Sequence, residues 1–285
     1  MKKEVKVQFI RNDGKEFLAD FTEWGIPSGG IEGIDFATWN LYSQPLAFGH
    51  GSVVTGKQYS ERNLKFTLRN INTNYNEFNR DTFISFFNPL YTFRVYITYQ
   101  GKTKWIEAEV NGVSAPAKNV YEHIEGAVGF FCENPFLKSV DDFARDISSL
   151  EPRWGFPFIA TEDYAPLMSV YNFSKQVILD NDGDVEIYFR CVLSFDGDVT
   201  NPYISEGEHL FKLIGTFTED DTIEIDFEKK TVKKNGVSIY DLISRDSNFL
   251  DIFIPVGGTI VSMDADIGDN LMHCTIYYNK YYGGM

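Results

Sequence analysis

Leu64-Lys65-Phe66-Thr67-Leu68-Arg69 alternates one apolar residue with one polar residue. Successive side chains of a strand point to opposite faces, so this run predicts a strand with one buried face. The pattern continues on both sides. Val5, Val7 and Phe9 alternate with Lys6 and Gln8 and predict a first strand. Arg11-Asn12-Asp13-Gly14-Lys15 sets Asp-Gly at a turn, and Phe17 to Phe21 reads as the return strand. Thr92 to Tyr99 and Lys104 to Val110 flank Gln100-Gly101-Lys102 as a second hairpin, and Glu125 to Cys132 is another strand. One helix interrupts the series. Asn76 can cap it, Glu77 to Phe87 carries it, and Phe83, Ile84, Phe86 and Phe87 make its apolar side. Asn88-Pro89 ends it, because proline cannot continue the hydrogen-bond ladder.

The second half reads as strand nearly throughout. Val177-Ile178-Leu179 and Val185 to Phe189 flank Asp180-Asn181-Asp182-Gly183-Asp184. His209 to Ile214 follows a turn at Ser205-Glu206-Gly207. Thr222 to Phe227, Thr231 to Lys233, Phe249 to Ile254, Thr259 to Ala265 and His273 to Tyr278 continue the series. Asn235-Gly236 is a tight-turn signal, and a short helix is expected from Tyr240 to Ser244. Regular strands without crossover helices predict an antiparallel β-sandwich or jelly roll.

The chain has 285 residues, 43% hydrophobic and 24% charged, a globular composition. Three domain-level readings follow: a first domain over 1–138, a linker over 139–155 with Pro152 and Pro157 bracketing its end, and a second domain over 156–285. Residues 1–138 carry 15 Lys+Arg against 15 Asp+Glu, and residues 139–285 carry 11 against 26. The whole net charge of −15 therefore lies in the second half. A neutral first half can pack against copies of itself, whereas an acidic second half stays solvated. The acidic balance also argues against phosphate-backbone binding. No apolar run approaches the ~20 residues of a membrane span, and the N-terminus lacks the apolar core of a secretory signal. Cys132, Cys191 and Cys274 are far apart and odd in number, which suggests synthesis in a reducing compartment.

Trp24 to Gly56 has no regular period. It holds seven glycines, Pro27 and Pro45, together with Ile26, Ile31, Ile34, Phe36, Trp39, Leu41, Tyr42, Leu46 and Phe48. So many large apolar groups argue against disorder. Two readings stay open: irregular strands in the domain's own core, or an arm over 24–56 that buries Trp24, Trp39 and Phe48 against a neighbouring copy.

Chemical motifs are sparse. Asp180, Asp182 and Asp184 do not follow a calcium loop, which needs Gly sixth and Glu twelfth where this chain has Gly183 fourth and Cys191 twelfth. A hairpin is the plainer reading. Asp264, Asp266, Asp269 and Asn270 read as an acidic surface loop. His50, His123, His209 and His273 share no metal-ligand spacing. Cys132 follows Phe130-Phe131 as a core cysteine, and Trp24, Trp39, Trp105 and Trp154 read as fold anchors. No nucleophile, Walker or dinucleotide motif occurs, so no enzyme activity, cofactor or metal is expected.

The arrangement as a whole resembles the distal tail proteins of long, non-contractile phage tails. The resemblance rests on the order and spacing of several pieces. In the first half these are Glu61-Arg62-Asn63-Leu64-Lys65-Phe66, Phe87-Asn88-Pro89 and Phe131-Cys132-Glu133-Asn134-Pro135-Phe136. In the second they are Ile178 to Glu186, Ile223-Glu224-Ile225-Asp226-Phe227 before Val237, and Phe253-Ile254-Pro255-Val256-Gly257-Gly258. The resemblance implies a mainly β chain: a split β-barrel or sandwich with one α-helix, related to tail-tube proteins, then a galectin-like β-sandwich. It implies a homohexameric ring at the distal end of a virion tail, made in the host bacterial cytoplasm from a phage or prophage genome. Its implied partners are the tail tube protein, the tail-tip protein and a receptor-binding protein, with DNA passing through the channel unbound. Two other classes compete. A carbohydrate-binding sandwich requires exposed aromatics on one face, and a cell-wall hydrolase requires a chosen carboxylate pair.

Overall fold

The computed structural model describes residues 5–71, 80–116, 125–140, 143–147, 149–152, 169–172 and 175–285. The expected helix cap at Asn76, together with His123 and Trp154, lies outside these residues. The chain divides into two units: residues 1–140 with the C-terminal 281–285, and residues 141–280.

The first unit runs β1 (Val5–Arg11), β2 (Glu16–Ala19), β3 (Trp24–Gly25), β4 (Ile31–Glu32), β5 (Trp39–Pro45), β6 (Ser52–Tyr59) and β7 (Arg62–Asn70). Then come α1 (Arg80–Phe86), β8 (Thr92–Tyr99), β9 (Lys102–Ser114), β10 (Glu125–Cys132) and β11 (Leu137–Ser139). Its main sheet is antiparallel, in the order β2-β1-β8-β9-β10-β7-β3. The strand Tyr281–Tyr282 returns to pair with β11. Alternation does what it predicts in β7: Leu64, Phe66 and Leu68 are buried while Asn63, Lys65 and Arg69 face outward. Tyr99 pairs with Lys102, and Gln100 and Gly101 both have positive φ, the geometry of a two-residue hairpin turn.

The core is built from phenylalanine rings. Phe9 lies edge-on to Phe66 and Phe87, each at 5.2 Å, and stacks on Phe130 at 5.6 Å. Phe83, Phe86 and Phe87 carry the helix onto this cluster, whereas Ile84 is exposed. The helical repeat explains the difference, since residues three and four apart share one face. Gly126 of β10 leaves room for Phe83, whose ring lies 2.6 Å from where a Cβ would stand.

The second unit contains β12 (Phe143–Asp146), β13 (Ser149–Pro152), β14 (Ser169–Asn172), β15 (Gln176–Leu179), β16 (Arg190–Phe195), β17 (Val199–Glu206) and β18 (His209–Lys212). It continues with β19 (Thr216–Phe217), β20 (Thr222–Asp226), β21 (Thr231–Lys234), β22 (Val237–Ser238), β23 (Thr259–Ile267) and β24 (Met272–Tyr278). One sheet has the order β12-β24-β16-β20-β21-β22 and a second the order β15-β23-β17-β18. Inward residues of both are buried, Cys191, Leu193, Ile223 and Ile225 from one and Ile204, Val261 and Met263 from the other.

Three local expectations need correction. Residues 177–179 and 185–189 do not form a hairpin, because β15 pairs with β23 while β16 pairs with β20 and β24. The acidic loop instead crosses between sheets. Buried Asn181 holds it, its amide donating to the carbonyls of Val185 and Ile254 at 2.9 and 3.1 Å. Val185 to Phe189 and Phe249 to Ile254 are not strands and meet at a single bridge, Ile187 with Ile254. Their apolar residues fill the core from loops: Phe249 packs on Phe211 at 4.7 Å. The expected helix at Tyr240–Ser244 is one 3₁₀ turn, Tyr240–Leu242.

Candidate functional site

Between β4 and β7 the chain leaves the sheet as a ribbon. Strands β5 and β6 pair only with each other, from Trp39↔Tyr59 to Pro45↔Ser52, with a bulge between Tyr42 and Ser43. The Leu46 N–H donates to the Gly51 carbonyl at 3.2 Å and closes the tip. Along the ribbon, Asn40 bonds Ser60 and the Tyr42 hydroxyl donates to Gln58 at 3.2 Å.

Both faces of this ribbon are exposed. Trp39 is 52% accessible, Leu41 56% and Phe48 98%, and Tyr42, Leu46, Val53, Val54 and Tyr59 are exposed with them. Residues 36–56 contain no Asp, Glu, Lys or Arg. An isolated two-stranded hairpin is marginal in water, and a contiguous exposed apolar patch marks an interaction surface. The ribbon therefore has the chemistry of an arm that is completed by another surface.

Its root is built rigidly. Arg62, at the start of β7, is buried, and its guanidinium donates to the carbonyls of Gly33 and Asp35, each at 2.7 Å, and of Pro135 at 2.6 Å. A further bond reaches the Gly283 carbonyl from the C-terminal segment. Burial lowers the Arg62 pKa from its ordinary value, yet arginine stays charged. Aromatic rings surround the root: Tyr59 meets Phe136 edge-on at 5.1 Å, and Phe136 stacks on Tyr281 at 6.2 Å. Gly33, at φ +87°, passes so close to the Asn63 carbonyl that a Cβ would sit 2.1 Å from its oxygen.

The three residues expected in an intersubunit arm separate here. Trp39 and Phe48 lie on the exposed ribbon, whereas Trp24 is 2% exposed, stacked on Phe83 at 5.5 Å. Trp24 is thus spent inside its own core and anchors the segment's start. The ribbon begins at Trp39, and the sequence segment from Trp24 combines core strands with an arm. Trp105 is also a fold anchor, its indole donating to the Ser139 carbonyl at 2.8 Å.

The acidic clusters are met by lysines. Lys280 pairs with Asp182 at 2.7 Å, Lys175 with Asp264 at 3.0 Å, and Lys212 with Asp266 at 2.6 Å. Among the described residues no group of three His, Cys, Asp or Glu side chains is arranged for a metal. Tyr240 is the exposed aromatic of the second unit's described residues, and its hydroxyl donates to the Lys230 carbonyl.

Residues 182–282 match the family model described as the siphovirus-type tail component, C-terminal domain. That match places the C-terminal domain of this tail-component family on the second half of the chain. No curated protein matches the sequence. Among solved structures, the chain is similar to the Dit protein of phage SPP1, described as a paradigm of the hub adsorption apparatus in phages infecting Gram-positive hosts. That match has 10% identity and a TM-score of 0.69, and it covers 96% of this chain and 98% of the other. A phage P2 baseplate structure in its activated conformation with calcium matches at 9% identity and a TM-score of 0.48, covering 98% of each chain. At 10% identity the likeness to the SPP1 protein concerns the fold, and it agrees with the mainly β architecture expected from the sequence.

Proposed function

We propose that six copies of this tail component form a ring that acts as the hub of a phage tail. The ring joins the tail tube protein on one side to tail-tip and receptor-binding proteins on the other. Two findings support the reading: the fold is shared along nearly its whole length with a protein described as a hub, and the first unit carries an arm with no use inside its own protomer. The arm is the observation that carries it. Fully burying a Trp, Leu or Phe side chain contributes roughly 1.5–3 kcal/mol, so a few of its residues suffice to hold an interface. The charge distribution agrees, since the half with the arm is neutral and the half that would repel its copies is elsewhere. The role is structural, without catalysis, cofactor or metal, and DNA passes the ring without specific binding.

Electron micrographs of the purified full chain test this. Closed rings of uniform diameter are expected. Single particles of one-chain size at every concentration would overturn the hub reading.

A further inference from the structure

At the root of the arm, Asn40, Gln58, Tyr59, Glu61, Phe131 and Glu133 line a concavity of about 350 Å³. An apolar cavity of ~150 Å³ already admits a benzene ring. Tyr59 and Phe131 expose 40% and 39% of their surface. Glu61 and Glu133 are exposed, and no Lys or Arg pairs with either among the described residues. The lining thus offers two ring faces, two carboxylates and two amides.

The tip carries groups that complement this lining. Phe48 is almost wholly exposed, and Gly49 and Gly51, at φ +130° and +106°, let the loop present it without flanking side chains. His50 stands between those glycines and offers an imidazole N–H. We infer that the tip of each arm seats in the root concavity of the next copy, Phe48 against Tyr59 and Phe131, and His50 against Glu61 and Glu133.

Reach and symmetry favour a second copy as the occupant. Seven paired residues and the tip loop span about 25 Å at ~3.4 Å per residue. A compact domain of roughly 150 residues has a radius of gyration near ~15 Å, so one arm crosses most of one neighbour. The tip cannot bend back to its own root, because the paired ribbon separates them. Tip-to-root contact is head-to-tail, and such contacts close into rings when the rotation allows. The inference rests on the ring reading and adds which surfaces meet.

Cross-linking in the full chain tests it. The three native cysteines are buried, so Phe48→Cys combined with Glu133→Cys introduces the only accessible thiols. Mild oxidation should yield a covalent ladder that runs past two chains on a denaturing gel. Phe48→Cys with Leu18→Cys, on the opposite edge strand β2, should yield no ladder. Assembled rings in which Phe48/Glu133 cross-links no better than the control would overturn the tip-to-root contact and leave the ring reading standing. A ladder that stops at two chains would also overturn it, because that means reciprocal pairing. Wild-type protein that stays a single chain at every concentration would overturn both readings. Separately, Phe48→Ala should raise the concentration for half-assembly by at least about tenfold, as hot-spot anchors do, with an unchanged circular dichroism spectrum. An unchanged assembly curve would count against the inference.

Discussion

The Arg62 guanidinium gathers four carbonyls from three separate stretches: the Gly33–Asp35 loop, Pro135 and Gly283. Replacing it by a methionine of similar length leaves those buried acceptors unmet, each costing about 1–3 kcal/mol. Arg62→Met should therefore destabilise the chain by about 3 kcal/mol or more, and Arg62→Lys should recover only part, since one ammonium cannot span the four oxygens. Urea denaturation of the full chain measures both, and a loss below about 1 kcal/mol for Arg62→Met would contradict the assignment. A second residue-scale expectation concerns Cys132. Burial pushes its thiol up to about 12 from an ordinary 9.0. The unfolded chain loses this proton near 9 while the folded chain keeps it, so folding stability is full below that pH and falls as pH rises toward 12. Cys132→Ala should make the high-pH decline of the melting temperature shallower than in wild type. Parallel declines would show that the thiol does not report on folding. Cys132 was legible as a core cysteine and is buried, whereas Arg62 was not legible as a hub of contacts. Arg62 entered only in the Glu61–Phe66 stretch, ahead of the alternating run that starts at Leu64, and nothing in a linear sequence names carbonyls that arrive from residue 283.

At the scale of elements, period-two alternation located strands well where one face is buried and the other wet. β1, β7, β8, β10 and β24 lie where that pattern put them. It failed where apolar residues enter a core from loops, as at Phe249 and Ile252, because a buried loop side chain leaves the same local trace as a buried strand position. It also failed at Asp180–Asp184, where a turn-like composition conceals a change of sheet fixed by the Asn181 side chain. The helix depends on a missing side chain in another element. Gly126→Ala should cost about 1–3 kcal/mol by pushing Phe83 off the core, visible as a lowered urea midpoint with an unchanged slope. A neutral Gly126→Ala would show that the helix can shift freely. For the arm, Trp39→Ser with Phe48→Ser should weaken assembly while leaving the protomer folded, because both side chains are already in water in the protomer. Loss of the folded protomer itself would return these residues to its own core.

At the scale of the whole molecule, charge asymmetry between the halves was legible from composition, and so was the mainly β class. The exposure of the ribbon was not. The segment from 24 to 56 read equally as core or arm, and it proves to hold core strands as far as Glu32 and an exposed ribbon from Trp39. The return of residues 281–285 to the first unit was also beyond local pattern, since it ties the C-terminal segment to β11 and Arg62, far away in sequence. That return makes a further expectation concrete. Truncation after Lys280 should leave the first unit susceptible to proteolysis at the root of the arm, because Ala37, Lys104 and Arg62 lose their carbonyl partners in the C-terminal segment. The central claim is that exposed arms on a neutral domain assemble this chain into a hub. Its most direct test is the solution mass of the full chain, measured by sedimentation equilibrium across a wide concentration range. A mass six times that of the 32.6 kDa chain, reduced to one chain by Trp39→Ser with Phe48→Ser, is the predicted result. A wild-type chain that sediments as a monomer at every concentration, or an assembly indifferent to both substitutions, would contradict it.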